Sequence, residues 1–318
     1  MRPLKQILIA LFTCLFTYGV IITAMGKIHV KGKPLAFVTN DYFTWKGGDT
    51  YAKFHEFKKN GKYDIVVLGS SRAYRGYNPA FFGENGYEMF NLGSSAQSIR
   101  NSFFIARNYL DSSNTGLLMI DIFSGAFKKV QLESSSDLIE NVDNQDAAMD
   151  IAFHTLDIRA LNITMLRLLT ENDQPYFVKK DYAGKGFSIK TDSLSKKMRK
   201  AFKTFKQPLK ATYEIDPDAL DSFDELLKWA SDKKIQVVVV YSPVSDFYSR
   251  VDHAEFMKSV MPVLQKHHTV FYDYTNSIHL STTDNFYDET HMNLSGVSIF
   301  NKILLSDLLA KGNLKPRS

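Results

Sequence analysis

Residues Tyr63 to Pro79 read YDIVVLGSSRAYRGYNP, and the rest of the chain is organised around this stretch. The apolar, β-branched run from Tyr63 to Leu68 stops at Gly69-Ser70-Ser71. A short apolar run that ends in small residues is typical of a buried parallel strand followed by a turn. Ligands bind at the loops that leave the carboxyl ends of such strands. A serine in this turn can therefore act as a nucleophile, provided that a base reaches its hydroxyl.

A candidate base lies near the other end of the chain, in the segment FYDETHMN that follows Asn285. Asp288 and His291 stand three residues apart there, just before another predicted helix. Each signal is weak alone, because most Gly-Ser-Ser turns only connect elements. An Asp-x-x-His is more often a helix cap with a satisfied histidine.

The combination, order and flanks of these motifs resemble the SGNH (GDSL-like) hydrolase superfamily. The likeness is to its membrane-anchored branch, which includes the alginate O-acetylation proteins and the D-alanyl transfer protein of teichoic acid synthesis. Gly69-Ser70-Ser71 stands where that family has Gly-Asp-Ser, so the resemblance implies that Ser71 is the nucleophile. Asn91-Leu92-Gly93 looks like the second block, so the backbone N–H groups of Gly93 and Ser71 would hold the oxyanion. In the last block the resemblance makes His291 the base and Asp288 its orienting carboxylate.

One block of the family pattern is missing from this chain. The third block normally carries Gly-x-Asn-Asp, but LMIDIF, residues 118–123, stands at the matching place. Asp121 cannot replace the asparagine as an oxyanion donor while it is ionised, which predicts slow turnover. Arg72, next to Ser71, is a possible donor or substrate anion contact. The alternative is that Arg72 faces solvent.

Strands that alternate with helices predict an α/β fold with a doubly wound parallel sheet of about five strands. The resemblance implies the three-layer, flavodoxin-like arrangement of the SGNH proteins. The predicted strands are residues 63–68, 87–92, 116–123, 235–241 and 269–274. The predicted helices are residues 95–111, 217–234, 251–267, which Pro262 must kink or divide, and 294–309. Residues 72–82 are interpreted as a loop with at most a short helix, because Gly76 and Pro79 interrupt them.

Residues 124–211 are predicted to be a largely helical insertion. Ser134-Ser135-Ser136 and the acids that follow are interpreted as an exposed polar segment, and residues 147–170 as one helix. A lysine-rich stretch comes next, either a solvated helix face or a contact with anionic lipid headgroups or an acidic glycan. We expect the insertion to be a mobile lid beside the opening of the Ser71 pocket.

The N-terminal segment from Gln6 to Gly26 is uncharged and makes about 31 Å of helix, enough to cross a bilayer core. The competing interpretation is a cleaved signal peptide, with Ala24-Met25-Gly26 as the cleavage site. The apolar run is long for a signal peptide, so an uncleaved anchor is favoured. Basic residues flank both ends almost equally, so the outward orientation of the domain rests on the family resemblance.

Bulk properties exclude several classes of protein. The net charge of +5 is too small to indicate a nucleic-acid partner. The single cysteine, Cys14, excludes an internal disulfide. The histidines outside the motif lack ligand-like spacing, so we expect neither a metal nor a cofactor.

These observations divide the chain into an anchor (residues 1–26), a connector (27–62) and an SGNH-like domain (63–318). The first function hypothesis is a serine esterase or O-acyltransferase with an extracytoplasmic domain and a cell-envelope polysaccharide as acceptor. A multi-pass membrane acyltransferase would be the partner that supplies acyl groups. The second is a weak or inactive glycan-binding accessory protein, and the third is a structural membrane protein with a chance Ser–His pair.

Overall fold

Five parallel strands form the centre of the protein in the computed structural model, which describes residues 2–39, 45–58, 60–129, 132–170, 181–195, 199–200, 214–246 and 250–317. The strands are β3 (Tyr63–Leu68), β4 (Met89–Asn91), β5 (Thr115–Asp121), β6 (Gln236–Tyr241) and β7 (Val270–Asp273), in the spatial order β4-β3-β5-β6-β7. A separate two-stranded antiparallel sheet comprises β1 (His29–Val30) and β2 (Lys33–Pro34). The five-stranded order is flavodoxin-like, so the predicted fold class is confirmed.

The helices occur in two groups along the chain. Before the third strand of the sheet, β5, they are α1 (Arg2–Lys27), α2 (Leu35–Val38), α3 (Gly48–Glu56), α4 (Ser71–Gly76), α5 (Pro79–Glu84) and α6 (Ile99–Tyr109). After β5 come a 3₁₀ turn (Ser124–Phe127) and α7 (Leu132–Asn141), α8 (Gln145–Thr155), α9 (Ile158–Leu169), α10 (Pro217–Asp232), α11 (Arg250–Lys266) and α12 (Leu294–Ala310).

Both faces of the sheet are buried, which explains why β3 is apolar at every central position. Val66 and Leu68 face a core formed with α3, α6, α7, α8, α10 and α11. Ile65 and Val67 face a second core formed with α4, α5 and α12. Strand side chains alternate between the two faces, so a strand covered on both sides needs apolar residues throughout.

Two sequence-based helix predictions need correction. Residues 72–82 are mostly helical, because Asn78 caps α5 and Pro79 occupies its first position, where a missing N–H costs nothing. The single helix predicted over residues 147–170 is two helices, broken at Leu156, which has a left-handed backbone with φ of 52°. Of the two outcomes predicted for Pro262, division of the helix is excluded, because α11 continues through it.

The serine-rich start of the insertion is buried, so the prediction that it is exposed is wrong. Ser134, Ser135 and Ser136 are fully buried on α7, and Glu140 is 1% exposed. The Asn101 amide of α6 donates to Ser134 Oγ at 2.7 Å. The small serine side chains let α7 approach its neighbouring helices closely. The polarity of these residues alone does not predict such packing. Residues 130–131, 171–180, 196–198 and 201–211 of the insertion, with most of the lysine-rich stretch, lie outside the described residues. The mobility of the whole insertion stays a prediction.

Among the described residues, one helix, α1, is long and apolar enough to cross a membrane. Its most apolar stretch has a mean hydropathy of 2.3, and 6% of that stretch is buried. A signal sequence would pass the same test. Its C-terminal half packs against α9, where Ile22 and Leu166 share a small core with Ala36, Phe37 and Trp45.

Candidate active site

The turn after β3 places Ser71 at the carboxyl edge of the sheet, where the strand order reverses between β3 and β5. Gly69 has φ of +147°, and a Cβ there would lie 2.9 Å from the Asp121 carbonyl oxygen. Glycine is therefore required at this position. The Ser70 hydroxyl accepts the Arg72 N–H at 3.3 Å and caps α4, which begins at Ser71.

The loop between β7 and α12 carries the other two predicted residues. A bridge between Phe286 and Met292 closes the loop, and the Tyr287 N–H donates to the His291 carbonyl at 3.1 Å. Asp288 Oδ1 accepts the backbone N–H groups of Thr290 at 2.9 Å and His291 at 2.8 Å. The Asp288 carboxylate is thus held in place by backbone N–H groups of its own turn, in addition to its contact with the imidazole.

Ser71, His291 and Asp288 form one continuous chain of hydrogen bonds. Ser71 Oγ lies 2.7 Å from His291 Nε2. His291 Nδ1 lies 2.8 Å from Asp288 Oδ2 and 2.9 Å from Oδ1. The His291 and Asp288 side chains are 18% and 24% exposed, so a substrate can approach the edge that they share with Ser71. This is the arrangement of nucleophile, base and orienting acid that a serine acyl-transfer site requires.

The environment of Asp288 keeps its carboxylate ionised. Burial raises the pKa of Asp288, but hydrogen bonding and the charge of His291, together with the two backbone N–H groups, outweigh it and lower the pKa overall. An ionised Asp288 fixes a proton on His291 Nδ1. Nε2 is then left to accept the Ser71 proton.

Of the two predicted oxyanion donors, Gly93 is already engaged. Its N–H donates to Asn91 Oδ1 at 3.0 Å, and its carbonyl accepts from the buried ammonium of Lys53. The Ser71 N–H lies in the first turn of α4, where backbone N–H groups lack a helical acceptor. The Ser71 N–H is thus the better placed donor. The oxyanion role of Gly93 stays a prediction, and it requires the Gly93 N–H to bond to both Asn91 Oδ1 and the oxyanion.

Arg72 is buried, so the interpretation that it faces solvent is wrong. It is 3% exposed and donates through Nη2 to the Ser242 carbonyl at 2.5 Å and the Ser242 hydroxyl at 2.9 Å. Its guanidinium lies over the rings of Phe123 and Tyr241. These contacts join α4 to the ends of β5 and β6, and they give no support to a substrate contact by Arg72.

Asp121, the last residue of β5, is a buried partner of this arginine. Its Oδ1 lies 3.8 Å from Arg72 Nε, and its Oδ2 accepts the Tyr77 hydroxyl at 2.7 Å. Burial raises the pKa of Asp121, against the lowering effect of the Arg72 charge and the hydrogen bonds. An acid at this position balances a buried charge beneath the Ser71 turn.

Two residues beside the site, Arg75 and Tyr287, were not predicted from the sequence. Arg75 follows Ser71 by one turn of α4 and hydrogen bonds through Nη1 to the Tyr287 hydroxyl. The Tyr287 ring stacks on His291, with centroids 5.4 Å apart and planes at 12°. The four-residue spacing of Ser71 and Arg75 would have revealed their shared face, had residues 72–76 been interpreted as helical.

The insertion also reaches the surroundings of the site through residues 181–195. The Ser188 N–H donates to the Tyr74 carbonyl of α4 at 2.9 Å, and the Lys185 carbonyl accepts from Asn91 N at 2.9 Å. The Lys190 carbonyl accepts from Leu294 N, at the start of α12, at 2.6 Å. This segment links the Ser71 helix to the element that follows His291. It therefore flanks the site as a packed strap.

Some histidines away from the site each contact an acid. His253 Nε2 lies 3.0 Å from Asp273 Oδ2, and His267 Nε2 lies 2.8 Å from Asp224 Oδ1. In the part of the chain that the structure describes, no group of three or more His, Cys, Asp or Glu residues is arranged to hold a metal ion.

Together, the fold and the site define a flavodoxin-like α/β protein with a Ser–His–Asp hydrogen-bond chain at the carboxyl edge of its sheet. No family model and no curated protein matches the chain. Similar solved structures include a lipase/acylhydrolase from Enterococcus faecalis, with TM-score 0.43 and 10% identity over 80% of this chain and 99% of that one. An acetylxylan esterase from Geobacillus stearothermophilus has TM-score 0.42 and 9% identity over 79% and 97%. Likenesses this distant do not assign an activity.

Proposed function

We propose that the chain is a membrane-anchored serine esterase or O-acyltransferase that works through an acyl-Ser71 intermediate. The observation that carries the proposal is the hydrogen-bond chain from Ser71 through His291 to Asp288. Residues 220 positions apart in sequence meet with each hydrogen-bonding atom facing its partner. A helix-capping role would explain Asp288, but it would not explain the contact between His291 Nε2 and Ser71.

Each residue has a defined part in the reaction. Ser71 Oγ attacks the carbonyl carbon of an acyl ester while its proton passes to His291 Nε2. Asp288 stabilises the imidazolium, and the Ser71 N–H faces the oxyanion. His291 then gives the proton to the leaving alcohol, and the acyl group stays on Ser71. The acceptor, either water or a sugar hydroxyl, loses its proton to His291 as it takes the acyl group. His291 passes this proton to Ser71 Oγ as the acyl–Ser71 bond breaks, which restores both residues.

The acceptor and the location follow from the resemblance of the sequence motifs. We propose that the acceptor is a cell-envelope polysaccharide, that the domain lies outside the cytoplasm, and that a multi-pass membrane acyltransferase supplies the acyl group. The long apolar α1 supports membrane attachment, since an uncleaved helix of this length holds the site close to a membrane-bound donor.

Two observations favour a second candidate, a catalytically weak accessory protein that binds glycans. The Gly93 N–H is occupied by Asn91, and Asp121 stands where the family has an asparagine donor. Loss of one oxyanion donor costs on the order of 10²- to 10³-fold in rate. A site with a single well-placed donor would then retain little turnover.

An ester-cleavage assay separates the two candidates. Full-length protein in detergent is incubated with p-nitrophenyl acetate and compared with Ser71→Ala. Ser113→Ala, an exposed serine before the amino end of β5, is the matched control. The enzyme proposal predicts release of nitrophenol that Ser71→Ala abolishes and Ser113→Ala keeps. Equal release by wild type and Ser71→Ala would contradict it and favour the accessory protein. Adding a saccharide acceptor to an active preparation then distinguishes transfer from hydrolysis.

A further inference from the structure

The α8–α9 hairpin exposes an apolar surface that the proposed reaction does not use. Its members, which we call the hairpin face, are Met149, Phe153, Leu156, Ile158, Met165 and Leu168, between 39% and 88% exposed. On α9, Ile158, Met165 and Leu168 repeat at helical spacing and form an outward stripe. The inward stripe of α9, with Ala160, Ile163 and Leu166, packs into the protein. A helix that is apolar on both sides needs an apolar environment on both.

The hairpin face is continuous with α1. The Tyr18 hydroxyl bonds to Asn162, and the Lys27 ammonium bonds to the Leu169 carbonyl, so α9 runs parallel to the C-terminal half of α1. Tyr18 lies nine residues before Lys27, which is about 13.5 Å of helix. Ile158, at the start of α9, stands 11 residues before Leu169, which is level with Lys27. The start of α9 and the turn at Leu156 thus lie about 16 Å or more on the bilayer side of Lys27, near the middle of a hydrocarbon core of about 30 Å.

A groove of about 710 Å³ lies between α1 and α9, beside their contacts, and opens next to the hairpin face. Phe16, Val20 and Thr23 of α1 line one wall, and Met165 and Leu168 of α9 line the other. Lys27 stands at one end of the groove. An apolar cleft with a cation at its end matches an acyl chain whose headgroup lies at the membrane surface.

From these contacts we propose that the α8–α9 hairpin is a second membrane contact, inserted into the lipid beside α1, with acyl chains in the groove. The proposal rests on the anchoring part of the proposed function and goes beyond it. The exposed apolar residues continue around the turn from α8 to α9 and onto α1, so the surface they form is curved. Fluid lipid hydrocarbon can cover such a curved surface more completely than a single straight helix of a partner protein can. Asp157 and Arg159 near the turn are paired at 2.7 Å, so little net charge enters with them.

Membrane contact at two places restrains the orientation of the domain. A single helix leaves a domain free to rotate about its anchor, whereas a hairpin inserted beside it fixes one face toward the bilayer. The Ser71 site would then keep a constant height above the membrane, which suits an acyl donor held in the bilayer.

Site-specific fluorescence in vesicles tests the hairpin. The full-length protein is reconstituted in vesicles of phosphatidylcholine and phosphatidylglycerol with a nitrobenzoxadiazole label on a single cysteine. Phe153→Cys and Leu156→Cys, each in a Cys14→Ser background, report on the hairpin. The native Cys14 reports on α1, and Ser306→Cys in the same Cys14→Ser background, at an exposed position of α12, is the control. Doxyl-labelled lipids quench only fluorophores in the hydrocarbon.

The expected result is a blue-shifted emission at residues 153 and 156, with quenching comparable to that at Cys14 and none at residue 306. Quenching at Cys14 alone would overturn the hairpin proposal and leave the anchor and the esterase proposal intact. Labels at residues 153 and 156 that are protected in native membranes but not in lipid vesicles would also overturn it, because a protein would then be the occupant. Absence of quenching at Cys14 would overturn the anchor as well, whereas the ester assay tests Ser71 independently.

Discussion

The Ser71 hydroxyl and the His291 ring, 2.7 Å apart, should act as one unit. We predict that Ser71→Ala and His291→Ala each reduce kcat by similar factors, on the order of 10⁴ or more. Asp288→Ala should cost roughly one to two orders of magnitude less, because it orients the base without exchanging the proton. Rates of ester cleavage for the three variants, with unfolding curves alongside, measure this. Unequal losses in the first two variants would argue against a shared step.

Tyr287 should position the His291 ring. Tyr287→Ala removes both the stacking on His291 and the hydrogen bond to Arg75, whereas Tyr287→Phe removes only the bond. Stacking of this kind contributes about 0.5–1.5 kcal/mol, so we predict an about two- to tenfold lower kcat for Tyr287→Ala. Tyr287→Phe should stay close to wild type, with KM little changed in both. Equal activity of the two variants would show that the stack does not orient the base.

Among the elements, the turn between β3 and α4 depends on Gly69. Its φ of +147° and the 2.9 Å approach to the Asp121 carbonyl leave no room for a side chain. We predict that Gly69→Ala destabilises the protein by about 1–3 kcal/mol and displaces Ser71, so that activity falls as well. Gly83→Ala is the matched control, because a Cβ there meets nothing within 4 Å. On α5 it should be neutral or stabilise by up to about 1 kcal/mol. Denaturant unfolding at a single pH gives the free energy of unfolding of the two variants for comparison with wild type.

Helix α7 carries a buried carboxyl that makes stability depend on pH. Both oxygens of Glu140 lack a hydrogen-bond partner among the described residues, and burial raises its pKa to about 8, despite the charges of Arg167 and Lys46. An acid whose pKa is raised in the folded state stabilises fully below its unfolded pKa, and this contribution is lost as the pH rises toward 8.

We therefore predict that wild type loses about 3–4 kcal/mol more stability than Glu140→Gln between pH 5 and pH 8. Glu133→Gln, an exposed acid on the same helix, is the control and should follow wild type. Urea unfolding at several pH values measures the difference. Parallel pH profiles for wild type and Glu140→Gln would mean that Glu140 is hydrated or paired.

What the sequence could predict differs between elements. The strand Tyr63–Leu68 was recognisable because a strand buried on both faces is apolar throughout. The serines of α7 were misinterpreted, since close helix packing uses small polar residues that look solvent-exposed in a sequence. The break at Leu156 was missed because leucine rarely adopts a left-handed backbone, so the residue type gave no sign of it.

At the scale of the whole molecule, the site joins segments from both ends of the chain. The spatial order β4-β3-β5-β6-β7 brings the loops after β3 and β7 to the same edge, which alternation of strands and helices could predict. The burial of Arg72 against Ser242 depends on which loops meet in three dimensions. The spacing of residues in the sequence does not predict the contact between Arg72 and Ser242.

The central claim is that Ser71 is a nucleophile activated by His291. Reaction of the full-length protein with a fluorophosphonate, followed by peptide mass spectrometry, tests it most directly. The predicted result is one phosphonyl adduct located on Ser71, with none on neighbouring Ser70, formed far more slowly in His291→Ala. A folded protein that leaves Ser71 unmodified, or that reacts at the same rate without His291, would contradict the claim.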